Sequence, residues 1–590
     1  MNMVSLSRRL RSAERGAAMI AVIGLMLVGM VVTSLILSSI VSGFGSTTST
    51  RAGVQSQAAA TAGVDVALAA LTTGTSCSPT YTSSTAPTYT ASLSYTTASS
   101  VTSATAWVAG CPTADAQFVK ITSVGAALSK GVAGNSTGNT KSVEAIYNRA
   151  VASPPIGVSG PAIYSYSSQY FGGSGTLVSQ DGTNDANVMV KTGDVSCSGG
   201  AASQGDLVVN NGNVTLSGSC GVLGNLWASG TGKGAIKLSG GVSVGGNAIG
   251  SSLTVNSGTI NGSTWTTGTT SLSSAVVGGG VTVTAGAFSS GGSNAIGGDI
   301  WSSGASNVTN GDAVKGNATA QTLALTGGNI GTSTSNRAWA RGSVTGVSWY
   351  SINAALTAKS VQSGVTAQGG VTVVPAGPGP GPAAQPTPAA PTVPNWINFA
   401  YSQSDWAGFS QYNLGTNCDF DALTAAVNSF AGGKGIIDAR GCTSPLVEST
   451  YQRLILNNDL VIISTLGFSL GNGGGFTSDA PHKLWLITPD TTSESPTSPT
   501  CPAGSSVNVT GAFYFSPNLS TIIYSPCKVY IGSGINFYGQ VFAGGASVDG
   551  NAHLYYTPVG LPGYDLSTGA SSATPPPNPW TPVSLRNIGG

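Results

Sequence analysis

The order of apolar and polar residues divides the chain into stretches with different periods. The first is unbroken: from Ala17 to Val41 the chain reads AAMIAVIGLMLVGMVVTSLILSSIV, and no ionisable side chain occurs between Gly16 and Thr50. As a helix this segment is about 37 Å long, enough to cross a hydrocarbon core of about 30 Å. It is longer than the apolar run of a cleaved secretory signal, so an uncleaved anchor is expected, with membrane lipid as the partner of Ala17–Val41. Arg8, Arg9, Arg11 and Arg15 precede it. They predict a single span with the N-terminus inside, and the bulk of the chain extracytoplasmic or at the cell surface. Residues 51–71 continue the helical pattern: RAGVQSQAAATAGVDVALAAL is proline-free and places Val64, Leu68 and Leu71 on one face.

Beyond the helix the period falls to two. SLSYTT, WVAGC, QFVKITSVGAAL and KSVEAIY predict four or five strands of a small β-rich head over 74–152. Its last two strands read as an antiparallel pair across GVAGNSTGNT. From 157 to 366 the strands shorten to triplets such as LVV, VTL, IKL and VTV. They are punctuated at Gly224-Asn225, Gly246-Asn247, Asn261-Gly262, Gly298-Asp299 and Gly316-Asn317. If the long third step holds two turns, the period is about 18 residues, which fits a right-handed parallel β-solenoid. In this reading Gly and Asn supply left-handed corners, Val, Ile and Leu fill the coils, and Ser, Thr and Asn face outward. Residues 374–394, VPAGPGPGPAAQPTPAAPTVP, predict an extended polyproline linker or strap. Residues 395–566 carry one short helix at 419–430 and a return of solenoid-like strands from Cys527. The end, 567–590, reads as a frayed tail. The fold class is thus mainly β, with an N-terminal helix (17–73) behind a basic leader (1–16).

Composition narrows the function. Of 590 residues 22 are Lys or Arg and 21 Asp or Glu, 7% together, against about 25% in an average protein. No run of cations exists to neutralise phosphates, so nucleic acid is not an expected partner. A long coiled coil lacks its charged flanks. At 41% hydrophobic residues the chain is not a disordered one.

The stretch ERGAAMIAVIGLMLVGMVV followed by QSQAAATAGVDVALAAL resembles the N-terminal segment of the PilX-type pilus-assembly family, over roughly the first 75 residues. Arg15-Gly16 and Asp65 match features of that family. The resemblance implies a pilin-like protein with pilus or secretion-pseudopilus components as partners, and a processing site between Gly16 and Ala17. Prepilins carry Glu five residues after the cleaved glycine, where this chain has Ala21. The central repeat resembles bactofilin-like and other bacterial right-handed β-helices in composition.

The eight cysteines, Cys77, Cys111, Cys197, Cys220, Cys418, Cys442, Cys501 and Cys527, form no CxxC pair. An even count at loop-sized spacings in an extracytoplasmic chain fits four disulfides. Eight cysteines allow 105 pairings, of which nearest-neighbour pairing is the favoured one.

Chemistry is thin. GVSVG (241–245) and GNSTG (134–138) match the hydrolase elbow, as chance allows in a chain this rich in Gly and Ser. His482 and His553 have no recognisable catalytic partner, although Asp479 precedes His482 by three residues. Asp181, Asp185, Asp194, Asp206, Asp299 and Asp312 are scattered through the repeat, with Asp181 and Asp185 the nearest approach to a calcium pair. No catalytic residue, metal ligand or cofactor is therefore assigned. The expected function is that of a membrane-anchored pilin-like surface protein with a structural or adhesive role. The competing reading is an anchored carbohydrate-binding or carbohydrate-active β-helix. It would require aligned carboxylates or a row of exposed aromatics, and would make a surface glycan the partner.

Overall fold

The computed structural model describes the chain except residues 1–5, 74–76, 99, 114–115, 129–138, 150–159, 183–185, 348, 449–450, 491–496, 503, 533, 572–579 and 589–590; side chains are described from Met19 onward. Mainly β in content, the chain carries a long N-terminal apolar helix and divides into two compact units. One comprises residues 1–152 and 574–590, the other 153–573.

In the first unit, α1 (Leu6–Thr73) runs without a break. Its second half lies on an antiparallel sheet in the order Thr80–Thr82, Thr88–Thr96, Phe118–Ala126, Thr140–Arg149, Trp580–Asn587, with Val108–Ala109 paired to Thr88–Thr96. The helix buries Ala60, Val64 and Ala67 against Leu93, Val119, Ile121, Val143 and Trp580. Small residues on the helix let the sheet come close. A Cβ on Gly125 would collide with the backbone at Ser56 and Ala60. Here the tail expectation meets a difference. Residues 580–587 do not fray but form the edge strand, pairing Arg586 with Glu144 and Trp580 with Arg149. Trp580 is apolar enough to be buried, and the Arg586 guanidinium lies 2.6 Å from the Glu144 carboxylate. The segment shows no clean alternation, since only Trp580 is buried, and Pro582 is tolerated because the strand is an edge. In sequence the solenoid is thus an insertion between two strands of the head.

The second unit is a β-solenoid of about 19 turns; among the described residues its main sheet joins 39 strands, with every pairing parallel. Each full coil presents three short strands to three ladders. Coil order does not follow chain order. The ladder beneath the Pro-rich segment starts at Phe409–Asn413 and climbs through Lys434–Asp438, Leu460–Ile463, His482–Ile487, Leu519–Ile531 and Asn536–Val548. It then passes to Ile163–Ser165, Val188–Val190 and Leu207–Val209, and ends at Val371–Val373. The chain therefore begins in mid-stack, builds to one end, returns along residues 374–394, and builds the other half back to its starting coil. At the junction Val541, Phe542 and Ala543 pair with Ile163, Tyr164 and Ser165. One apolar core fills the coils of both halves. α2 (Phe420–Ser429) packs Phe420 and Leu423 into that core and is capped by the Asp419 carboxylate, which accepts from the Ala422 amide at 2.8 Å.

The Gly-Asn corners have a different physical basis from the one expected. Gly224, Gly246, Gly298 and Gly316 do not adopt positive φ; among the described residues that backbone occurs at other glycines, such as Gly240 and Gly241. Glycine is needed at the corners because the next coil occupies the space. A Cβ on Gly246 would lie 2.5 Å from Asn225 Oδ1 and 2.9 Å from the Gly224 carbonyl. The residue after each glycine forms a ladder up the stack. Asp206 Oδ1 accepts from the Asn225 amide at 2.7 Å and its Nδ2 at 3.1 Å. Asn225 Oδ1 accepts from Asn247 in the same way, and Asn247 Oδ1 accepts from the Ser263 amide at 2.8 Å. The anchor expected at Asn261 thus stands at Ser263. The long step holds two turns, with Gly280 donating to Ser263 Oγ at 3.0 Å.

Candidate functional site

Three features bear on function: the apolar helix, the strapped aromatic ladder, and the polar groups of the sequence expectations. From Met19 to Phe44 the helix is exposed on all sides and mostly apolar, Leu25 and Met30 being about three-quarters exposed, and its few hydroxyls, such as Thr33 and Ser34, bond back to helix carbonyls. Met19–Thr72 is long and apolar enough to cross a membrane. Gly16 and Ala17 lie inside α1, in its part without described side chains.

On the solenoid, one outward row runs Trp227, Ile249, Trp265, Thr282, Trp301, Thr319, Trp339 in successive coils. The Pro-rich segment lies over it as a strap. The indole N–H of Trp339 donates to the Gly379 carbonyl at 3.2 Å, that of Trp301 to Pro382 at 2.9 Å, and that of Trp265 to Gln385 at 3.3 Å. The acceptors are three residues apart and the tryptophans two coils apart. Three residues of polyproline rise about 9.3 Å, and two rungs of a sheet span about 9.4–9.8 Å. The two repeats match, so one strap conformation satisfies Trp339, Trp301 and Trp265; the indole N–H of Trp227, two rungs further on, is buried without a hydrogen-bond partner among the described residues. At its far end Lys191 Nζ donates to the Val393 carbonyl at 3.3 Å and to Asn395 Oδ1 at 3.0 Å, and burial holds its pKa below the usual lysine value.

Further along the same face the outward residues become fully covered. Trp396, Phe399, Trp406, Trp485, Tyr524 and Phe542 form a second apolar cluster. Tyr524 donates to the Ile397 carbonyl at 2.5 Å, and burial raises its pKa well above 10.0. At the end of this face the Asp438 carboxylate takes two bonds from the Arg440 guanidinium, at 2.9 and 2.7 Å, and one from Gln411 Nε2 at 3.0 Å. The Arg440 bond holds Asp438 below the usual carboxylate range. Arg440 also stacks 4.8 Å over Tyr401, whose pKa burial pushes up to about 12. Sequence reading passed over this group; its only signal is the acid-x-base step in GIIDAR.

The residues weighed for chemistry are dispersed. Ser243 of GVSVG sits on a solenoid strand between Gly221 and Thr259. GNSTG and Asp185 lie outside the described residues. His482 Nδ1 is 3.8 Å from Asp459, which also pairs with Lys434 at 2.9 Å. His553 Nδ1 is 2.8 Å from Thr176 Oγ1. The scattered acids serve the coils. Asp206 and Asp299 are corner residues, and Asp194 accepts from the Asn213 amide at 2.9 Å. Asp312 is buried and accepts from Asn294 Nδ2 at 2.7 Å and the Thr309 amide at 2.6 Å. Asp181 accepts from Ser179 Oγ. Among the described residues no three His, Cys, Asp or Glu side chains are grouped to hold a metal ion. Disulfides join Cys77 to Cys111, Cys197 to Cys220, Cys418 to Cys442 and Cys501 to Cys527, with Cα–Cα distances of 6.0, 6.3, 5.8 and 4.7 Å.

No family model matches the chain, and neither does any curated protein. Among solved structures it is similar to the Tapirin C-terminal domain of Caldicellulosiruptor kristjanssonii. The match covers 68% of this chain and 93% of that one, at 11% identity and a TM-score of 0.27. A likeness that low carries no argument about function.

Proposed function

We propose that the protein is a membrane-anchored, pilin-like surface protein with a structural or adhesive role. The observation that carries this reading is the helix. A single uninterrupted α1 exposes an apolar half with Met19, Leu25 and Met30 outward, and lays a second half, with Ala60, Val64 and Ala67, on an antiparallel sheet. An exposed apolar stretch of that size has no stable place in water and fits the hydrocarbon of a bilayer. With Arg8, Arg9, Arg11 and Arg15 before it, the N-terminus stays in the cytoplasm and the head and solenoid stand outside. Four disulfides fit an oxidising compartment.

In this reading the solenoid works by position: it is a long, nearly uncharged body held by a helix. The test is fractionation of cells expressing the full chain or a chain lacking residues 1–50. The full chain is expected in the membrane fraction with its solenoid open to external protease. Unchanged membrane retention of the truncated chain would refute the anchor. Intact mass addresses the pilin-like part, since processing after Gly16 removes the first 16 residues.

A further inference from the structure

Where the two halves of the solenoid meet, a surface cleft of about 440 Å³ opens at the edge of the strapped face. Its size falls in the range of small-ligand sites, about 300–1,000 Å³. Lys528 and Gly545 are partners on adjacent rungs. Because Gly545 has no side chain, the space below Lys528 stays open; a Cβ there would meet Ser167 Oγ at 3.0 Å and the Ser168 carbonyl at 3.8 Å. In the next column Tyr530, Ser547 and Tyr170 follow one another, and Tyr170 hydrogen-bonds Ser198 at 3.1 Å. The ring of Tyr166 is set edge-on against Trp396, 6.2 Å between centroids. Pro499 and Cys501 also line the cleft, and Cys501 is joined to Cys527 of the lining by a disulfide.

The chemistry of this lining is selective. It holds one cation, Lys528, which is exposed and makes no ion pair among the described residues. Among the described residues the lining holds two tyrosines, two serines and glycine backbone, and no carboxylate. One ammonium is a point charge that balances a single carboxylate and would leave a polyphosphate mostly unneutralised. Tyrosine rings and hydroxyls suit a flat, hydroxyl-rich body. We propose that the cleft binds a uronic acid residue of an acidic polysaccharide, with Lys528 on the carboxylate and Tyr166, Tyr170 and Ser168 on the sugar ring. This binding site is independent of the anchor reading: it would stand in a chain with no membrane span.

The experiment is calorimetric titration of the detergent-solubilised full chain with trigalacturonate, with uncharged galactotriose, and with inorganic sulfate. Trigalacturonate should bind at least about ten-fold tighter than galactotriose, and sulfate more weakly than either. Lys528→Gln, at an exposed position, should fold normally and erase the ten-fold difference. Gly545→Leu should fill the floor and abolish binding of both sugars, with its melting temperature checked against the parent; if Gly545→Leu does not fold, Tyr170→Ala is the second variant and should weaken both sugars alike. No binding of trigalacturonate would overturn the proposal. So would equal affinity for the neutral sugar, an unchanged preference in Lys528→Gln, or sulfate binding as tightly as trigalacturonate.

Discussion

The match between strap and solenoid invites a direct perturbation. Trp301→Phe keeps an aromatic ring under the strap but removes the N–H that reaches the Pro382 carbonyl at 2.9 Å, along with one ring of the indole, so the hydrogen-bond loss worked below is a lower bound. A neutral hydrogen bond of this kind contributes about 0.5–1.5 kcal/mol net. Replacing Trp265, Trp301 and Trp339 together removes three such bonds, about 1.5–4.5 kcal/mol if they act independently. Most of that loss falls on the strap, because the coils beneath keep their own ladders. The open population of the strap should therefore rise about 2- to 13-fold in the single variant and about 13- to 2,000-fold in the triple one. Cleavage by a protease of broad specificity at Ala383–Ala384 reads this population when reclosing outpaces cleavage. A second variant separates hydrogen bonding from register. Deleting Ala384 leaves every tryptophan in place and brings the Pro386 carbonyl to the third position after Pro382, so the three indole bonds should survive while the far end is drawn about 3.1 Å short of its contacts with Lys191. Gly381→Ala should loosen the strap too, since a Cβ there runs into the Trp339 ring. If the triple Phe variant is cleaved in the strap no faster than the parent, the indole bonds do not hold it, and the matched repeat is incidental.

Other expectations follow from single groups. Asp206→Ala removes the acceptor for both the Asn225 amide and its side chain; it should destabilise the solenoid by about 1–3 kcal/mol, seen as a lower denaturant midpoint with unchanged slope. Gly125→Val forces a side chain into the backbone at Ser56 and Ala60. The cost should be at least about 1–3 kcal/mol, with faster hydrogen exchange over 52–71 and little change over the solenoid. The Asp438 pKa is depressed in the folded chain by Arg440. Its contribution is therefore present above the ordinary carboxylate value of 3.8 and is lost as the pH falls below that value toward its lower folded pKa. Asp438→Asn should flatten this part of the stability profile below about pH 4 and leave the shape of the profile near neutrality unchanged.

How much of this was legible in the sequence depends on where the deciding interaction lies. The apolar pattern exposed α1 because a segment suited to lipid is apolar without a break, whereas a helix that meets a sheet writes its partner into i, i+4 spacing. It exposed the solenoid because each coil repeats the same local demand. The corner glycines were visible but their reason was not. Coil-on-coil contact, rather than backbone hand, excludes a Cβ at Gly246, and stacking is invisible to a local reading. The same limit hid the edge strand at 580–587, whose partner lies 431–444 residues away in the chain. It also hid the junction of Val541–Ala543 with Ile163–Ser165, across 378 residues. Asp438 and Arg440 escaped notice because a two-residue pair looks like any other polar step until burial removes its water.

The strap is the element that makes the unusual coil order workable. A solenoid wound from one end needs only neighbour contacts and grows coil by coil. This one starts in mid-stack, so its first coil, 163–190, has an open face until residues 519–556 return to cover it. That return requires the chain to travel from Val371–Val373 back past the starting coil, and 374–394 is the segment that makes the journey. A flexible Gly/Ser linker could span the distance but would leave the return end free to search a large volume. A stiff, extended segment that rests on a tryptophan every second rung fixes its own direction, and Lys191 holds its end beside the starting coil. The second half is then delivered close to the coil it must cover, with Trp396 beside Tyr164 of the starting coil and placed to receive Tyr524 and Phe542 of the second half. Loosening the strap should therefore slow closure of the junction more than it weakens either half. Hydrogen exchange at residues 163–165 and 541–543, followed during refolding, separates that order of events from one in which the halves meet first and the strap settles afterwards.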